Sequence, residues 1–343
     1  MRLRFRPLLL LPLFLLRDYD GAERLALYGP DPDLRVAQVA LDPRDPTHNR
    51  IGDLTYLGGI ELKSSDAAFG GFSSLLVEGD AFTLLSDGGN VLRFTMGGDW
   101  RPRGPRFGEL PGGPGSGWGK VDRDSESMTR DPATGRTWVG FETWNQIWRY
   151  DRGFARVEAH AAPPAMAAWP VNYGPESMVR LRSGQFLVIA ETESRPHAPG
   201  RVALMFSGDP TQQPRRGWRF SYVPPAGYDP SDATELPNGD ILVLNRAFAL
   251  PFNFSNVLTI VPRAAIRPDA VVSGRPIATL AAPLIHDNFE GVAAVREGDA
   301  TILWLCSDDN QLALQRSLLL KFRLDESPRQ KARSPAGGGP SHP

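Results

Sequence analysis

The chain has 343 residues, 41% of them apolar, with 38 basic residues against 39 acidic ones and a single cysteine. That is enough apolar content for a real core, while the near-cancelling charge argues against the one-sided footprint of a nucleic-acid binder. The lone Cys306 rules out an intramolecular disulfide and a cysteine zinc cluster, and in "ILWLCSDD" it reads as a buried, inert thiol.

The first segment, "MRLRFRPLLLLPLFLL", carries three arginines and then an apolar run from Leu8 to Leu16. This pattern matches the charged and apolar regions of an export signal and is too short for an ordinary membrane-spanning helix. Residues 1–20 are therefore expected to be a leader to the periplasm or the medium, although Arg17 and Asp18 stand where small cleavage-site residues are usual. A short membrane anchor is the alternative. Residues 21–326 are assigned to one domain. The tail 327–343 is polar and rich in Pro and Gly, so it cannot bury enough surface to order itself.

Gly (35) and Pro (32) punctuate many short apolar runs, which predicts an all-β chain. A repeat then becomes visible. The segments "DSESMTRDPATGRTWVGFE" from Asp124, "GPESMVRLRSGQFLVIAE" from Gly174 and "DNFEGVAAVREGDATILWLCSD" from Asp287 share a plan: Glu, a short strand, a turn, then a second apolar run ending in an acid. "GGFSSLLVEGDAFTLLSD" from Gly70 and "PSDATELPNGDILVLNR" from Pro230 are weaker copies, with Ser73 and Ser231 in place of Glu. Aligning Ser73, Glu126, Glu176, Ser231 and Glu290 gives steps of 53, 50, 55 and 59 residues.

Each segment reads as an antiparallel hairpin, because pairing its first polar residue with its last places the midpoint on a turn. Glu126 with Glu142 centres on Thr134, and Glu290 with Asp308 centres on Asp299. Further strands follow at Gln146, Arg201, Asn256 and Ser317. Three or four antiparallel strands per unit of this size predict a β-propeller. Five units are visible, and the leftover strands at Ile51 and in Arg201–Tyr222 suggest six blades within a range of five to seven. A pair of β-sandwiches is the other all-β option, but it leaves the repeat unexplained.

In a propeller, equivalent positions form a ring. Here that ring holds Glu126, Glu142, Glu176, Glu191, Glu290 and Asp308, with Asp87, Asp124, Asp232 and Asp287 close by. No nucleophile elbow, Walker loop or His-x-x-x-His pair is present. Oxygen ligands remain, and calcium takes six to eight of them without needing His or Cys. A turn explains any one of these acids on its own, and Asp80, Asp131 and Asp299 are read that way. It does not explain Glu recurring at one repeat position three times. Trp138, Trp148 and Trp304 are expected in blade cores, and Trp144 in a loop. Arg246 ends a hairpin where others end in acids, which suits either pairing with those acids or clamping an anionic substrate.

The order "GGFSSL…LLSDGG", "DSESM…WVGFE", "NYGPESM…LVIAE", "ILVLNRAF" and "DNFEGVAAV…LCSDDN" resembles the phytase-like family, also called the esterase-like activity of phytase family, over most of Gly70 to Leu324. The resemblance implies an exported bacterial β-propeller linked to ester or phosphoester hydrolysis. Its implied functional residues are Glu126, Glu176, Asp287, Glu290, Asp308 and Asp309, with Asn172, Asn288 and Asn310. Two departures stand out: Gly88 and Gly89 replace the family's usual arginine, and its usual "LER" reads "LNR" at Asn245 and Arg246.

The expectation is a monomeric hydrolase of a small phosphoester or carboxylic ester. Glu126, Glu176, Glu290 and Asp308 are the candidate catalytic residues. Arg246, Asn172, Asn288 and Asn310 are assigned to the substrate, and Asp87, Asp124, Asp287, Asp309, Glu142 and Glu191 to calcium. The alternatives are a non-catalytic propeller that binds a ligand or protein, and a lactonase-type calcium-dependent propeller.

Overall fold

The central strands of the repeat are apolar at nearly every position, and their two faces serve different interfaces. A computed structural model describes residues 33–66, 68–115, 122–171, 174–192, 195, 198–250 and 253–325. The expected leader and tail lie outside these residues, as does Asn172.

The described chain begins with β1 (Arg35–Gln38), β2 (Arg50–Ile51) and β3 (Leu54–Lys63). The first blade is β4 (Phe72–Glu78), β5 (Ala81–Ser86), β6 (Asn90–Met96) and β7 (Pro102–Glu109). The second is β8 (Ser125–Arg130), β9 (Thr137–Phe141), β10 (Gln146–Tyr150) and β11 (Val157–Ala161). The third is β12 (Ser177–Arg180), β13 (Phe186–Ile189), β14 (Arg201–Phe206) and β15 (Gly217–Val223). The fourth is β16 (Asp229–Glu235), β17 (Ile241–Ala249) and β18 (Asn253–Val261); β19 (Val271–Ser273) then leaves to pair parallel with β15, and β20 (Arg275–Leu280) completes the blade. The last is β21 (Phe289–Glu297), β22 (Ala300–Ser307) and β23 (Ser317–Leu324), against which β3 returns.

The propeller therefore has five blades, not the six favoured from sequence. The strand at Ile51 is not a separate blade: β3 pairs antiparallel with β23, so the N-terminal part of the chain closes the C-terminal blade. The segment Arg201–Tyr222 supplies β14 and β15, the outer half of the third blade. The inner strands β4, β8, β12, β16 and β21 contact one another in a closed cycle around the axis.

Five apolar clusters lie among the described residues, one at each blade interface. The two-residue period of a strand divides each middle strand between two of them. On β22, Leu303 and Leu305 face the fourth blade, while Ile302, Trp304 and Cys306 face the first. On β17, Leu242 and Leu244 go one way and Ile241 and Val243 the other. Aromatic contacts bridge blades, Phe82 meeting Trp304 edge-on at 4.8 Å and Trp138 meeting Phe186 at 4.9 Å. Burying each such side chain contributes about 1.5–3 kcal/mol. Trp138 and Trp304 are core residues as expected, Trp148 is half-buried, and Trp144 is exposed. Cys306 is buried, and its surroundings push the thiol well above its usual range.

The hairpin turns follow their glycines. Gly79 and Gly298 open two-residue Gly-Asp loops with φ of 63° and 58°, which favours Gly at that place.

Candidate functional site

In four of the five blades the repeated polar position is a β-bulge; in the third, Glu176 directly precedes β12. Pairing skips one residue between Phe72 and Ser74, between Ser125 and Ser127, between Pro230 and Asp232, and between Phe289 and Gly291. The skipped residues are Ser73, Glu126, Ser231 and Glu290. The bulge shifts the register by one residue and the turn centre accounts for another, so Glu142 lies across from Asp124 and Asp308 across from Asn288 instead of Glu126 and Glu290. A bulge also re-aims its side chain, and these bulges sit at the starts of the inner strands that ring the propeller axis.

Serine and glutamate use the bulge differently. Ser73 Oγ donates to the carbonyl of Ser125 at 2.6 Å, and Ser231 Oγ to that of Phe289 at 3.2 Å, each tying its strand to the next blade. The longer glutamates reach the channel. Asp124, Glu126 and Glu142 each place a carboxylate oxygen within 4.8 Å of the others, and Glu142, Glu176 and Glu191 form a second such set. The two sets share Glu142. The structure thus brings together five of the predicted acids, all from the second and third blades.

The four glutamates of these sets resist ionisation. Burial raises Glu126 and Glu176 well above the usual carboxylate range; Glu176 and Glu142 add to the rise at Glu126, and Glu191 and Glu142 to that at Glu176. Glu142 is pushed up to about 8 by burial and then by Asp124. Glu142 Oε1 accepts from the Gly174 amide at 3.2 Å, and Asp124 Oδ2 from the Thr143 hydroxyl at 2.9 Å.

A second group adjoins the first. Arg246, within β17, donates to Glu290 Oε1, to Asn288 Oδ1 at 3.0 Å and to Glu191 Oε1 at 2.9 Å. Burial works against its charge, but Glu290, Glu176 and Glu191 outweigh it and hold the guanidinium charged. The Asn288 amide bridges Glu290 Oε1 at 2.9 Å and Asp308 Oδ2 at 3.3 Å. Burial raises Asp308 well above its normal range, with Glu290 and Asp87 adding to it. Burial likewise raises Glu290, against the pull of Arg246 and with a push from Asp87. Arg246 is therefore placed among the acids, in the pairing arrangement of the two foreseen.

Other predicted residues are engaged elsewhere. Asp309 accepts from the Gly71 amide at 2.9 Å, the Gln311 amide at 3.0 Å and the Ser317 hydroxyl at 2.8 Å, strapping the fifth blade to the first. Asp287 caps the Asn288 amide at 3.0 Å and takes Arg316 Nε at 3.1 Å. The Asn310 side chain turns to Gln315, while its backbone amide caps Asp308 Oδ1 at 2.6 Å. Asp232 accepts from Ala233 and, across the blade interface, from Val292, each at 2.7 Å.

One residue went unnoticed in the sequence. Asn145 is buried with a left-handed φ of 48°, its Nδ2 donates to the Trp169 carbonyl at 2.9 Å, and its Oδ1 has no partner among the described residues. That oxygen lies against Gly174, beside Glu142. The only signal was Asn in the turn "ETWNQ" directly after a repeat acid, a position that turn propensity alone accounts for.

Clustered buried carboxylates and an orphaned amide oxygen make a hard-oxygen donor set that fits calcium. The five acids carry no histidine or thiol among them, which fits the softer metals less well.

No curated protein matches this chain. Solved structures similar to it include a luciferin-regenerating enzyme (8% identity, TM-score 0.43, covering 76% of this chain and 95% of that one). The glutaminyl cyclase of Myxococcus xanthus is similar at 9% identity, with a TM-score of 0.43 and coverage of 75% and 91%. Hydrazine synthase of Kuenenia stuttgartiensis is similar at 10% identity and TM-score 0.37 over 72% of this chain, which spans only 59% of that longer one. Residues 67–311 match the phytase-like family, described as esterase-like activity of phytase, and over that span, most of the chain, this five-bladed propeller belongs to that family.

Proposed function

We propose that the acidic mouth of the channel is a calcium-dependent hydrolytic site for a small phosphoester or carboxylic ester. The observation that carries this reading is the convergence of Asp124, Glu126, Glu142, Glu176 and Glu191, from two blades, into two carboxylate sets that share Glu142. Turns need no such convergence, and the mutual repulsion of the acids is relieved only by protons or a cation. Asp124, Glu126, Glu142, Glu176 and Glu191 would hold the ion, with Asn145 Oδ1 beside Glu142 as a neutral oxygen. When bound, calcium supplies positive charge to a phosphoryl or acyl oxygen.

The chain's own residues do the rest. Arg246 and the Asn288 amide fix the carboxylate of Glu290, and Asn288 also holds that of Asp308. Glu290 and Asp308, both raised by burial above the ordinary carboxylate range, are placed to exchange a proton with a leaving group or water. The apolar run Leu8–Leu16 supports action outside the cytoplasm.

The test is turnover of p-nitrophenyl phosphate and p-nitrophenyl acetate, with and without chelator, together with calcium detection in purified protein. The expected results are turnover of at least one ester, its loss on chelation with recovery on adding calcium, and its loss in Glu290→Gln. Turnover indifferent to both perturbations overturns the mechanism. A non-catalytic ligand-binding propeller is the second reading. It is favoured by the many acids that tie strands together, Asp232, Asp287 and Asp309 among them, and it predicts no ester turnover at all.

A further inference from the structure

A second cleft shares no lining residue with the carboxylate cluster. Between the segment 164–169 that leads into the third blade and that blade's outer strands β14 and β15, a cleft of about 620 Å³ is walled by Trp169, Trp218, Leu204 and Phe206. Its size falls in the range of small-molecule sites, about 300–1,000 Å³. The wall is apolar and aromatic, but three arginines, Arg195, Arg215 and Arg219, also line it.

Arg195 is the informative one. Its side chain is only 14% exposed. Its Nη2 donates to Asp269 Oδ1 at 2.7 Å, while its Nη1 is buried with no acceptor among the described residues. A buried guanidinium N–H without an acceptor is unfavourable, so the position calls for an oxygen from a ligand. Arg215 and Arg219 are exposed and show no ion pair with an acid among the described residues, leaving positive charge at the opening. One buried donor amid two tryptophans fits one anionic head on a flat apolar body, because Arg binds carboxylates directionally and aromatic walls stack on a planar group.

We propose that this cleft binds a small organic acid, an aromatic or otherwise planar apolar carboxylate, with its carboxylate on Arg195 and its ring between Trp169 and Trp218. The site is separate from the carboxylate cluster of the channel and does not depend on the hydrolytic reading.

The probe is 2-naphthoate, titrated by calorimetry into the full chain, with neutral 2-naphthol and inorganic phosphate as comparisons. Saturable 1:1 binding of 2-naphthoate is expected, about 10-fold or more tighter than that of 2-naphthol, since a hydrogen bond to a charged group is at stake. Phosphate alone should bind more weakly still, because it leaves the apolar wall uncovered. Arg195→Gln should weaken 2-naphthoate by about 10-fold or more, and Glu176→Gln, in the channel, should leave it unchanged. If Arg195→Gln fails to fold, Ala168→Trp replaces it: Ala168 is an exposed residue on the cleft wall, and an indole there should occlude the cleft and abolish binding. Absence of saturable binding overturns the proposal. So does equal affinity for 2-naphthol, tighter binding of phosphate, or indifference to Ala168→Trp.

Discussion

Replacing Arg246 with Met tests whether this guanidinium holds the acidic cluster together. The guanidinium forks between Glu290 and Glu191, whose side chains are only 10% and 14% exposed, and it also donates to Asn288 Oδ1. Removing one member of a buried ion pair costs about 3–5 kcal/mol, because the partner charge is left without compensation. For a domain of this size that corresponds to a fall in Tm of roughly 6–20 °C. The effect should depend on pH, and the sign follows from the direction of the shifts. Burial raises Glu290 and Glu191, and Arg246 pulls both back. Without Arg246 they rise further above their unfolded values. A raised acid contributes stability that is fully present below its unfolded pKa and lost as pH climbs through its folded pKa. The deficit of Arg246→Met should therefore be small near about pH 5 and grow toward about pH 8, by up to about 1.4 kcal/mol per pH unit for each affected group. Thermal unfolding followed by circular dichroism, in chelator, measures it. Arg246→Lys should recover only part of the loss, since one ammonium cannot reproduce the fork. A deficit below about 1 kcal/mol, or one that does not vary with pH, would refute this account of the cluster.

Three further outcomes are expected. Since Glu142 is pushed up to about 8 from 4.5, metal-free protein should lose stability as pH rises between those values, by up to about 5 kcal/mol for the Glu142–Asp124 pair. Calcium should accordingly raise Tm more at about pH 8 than at about pH 5, and Glu142→Gln should flatten the metal-free profile while weakening calcium binding; differential scanning fluorimetry with and without chelator reads both. Asp309→Ala removes the strap to Gly71 and Ser317 and should cost about 2–3 kcal/mol in chemical denaturation, leaving the KM of any ester unchanged. Ser73→Ala removes the tie to the Ser125 carbonyl and should cost about 1 kcal/mol, again by denaturant titration, because in this blade the bulge serves packing and not the channel.

Much of the site was legible because the repeat carried it. Glu126, Glu176 and Glu290 stand out once the five segments are aligned, and a residue type repeated at one blade position must recur around the axis. The bulge was not legible. Hairpin symmetry pairs Glu126 with Glu142, whereas the turn centre and the bulge together put Glu142 across from Asp124, and an inserted residue changes the register without changing the hydrophobic pattern. Nor could sequence separate acids that converge from acids that strap. Asp308 and Asp309 are neighbours in one motif, yet Asp308 meets Glu290 through Asn288 while Asp309 turns to the first blade.

By itself the sequence determined the all-β class, the blade-sized repeat, the inner hairpins and the acidic ends of those hairpins. These follow from local pattern: alternation, turn glycines and recurrence. The tertiary structure alone decided that there are five blades, because closure depends on β3 finding β23 across more than two hundred and fifty residues of chain. It also decided which acids share a field and that Arg246 sits among them, since Coulomb interactions depend on distance and burial, and neither is written in the order of residues.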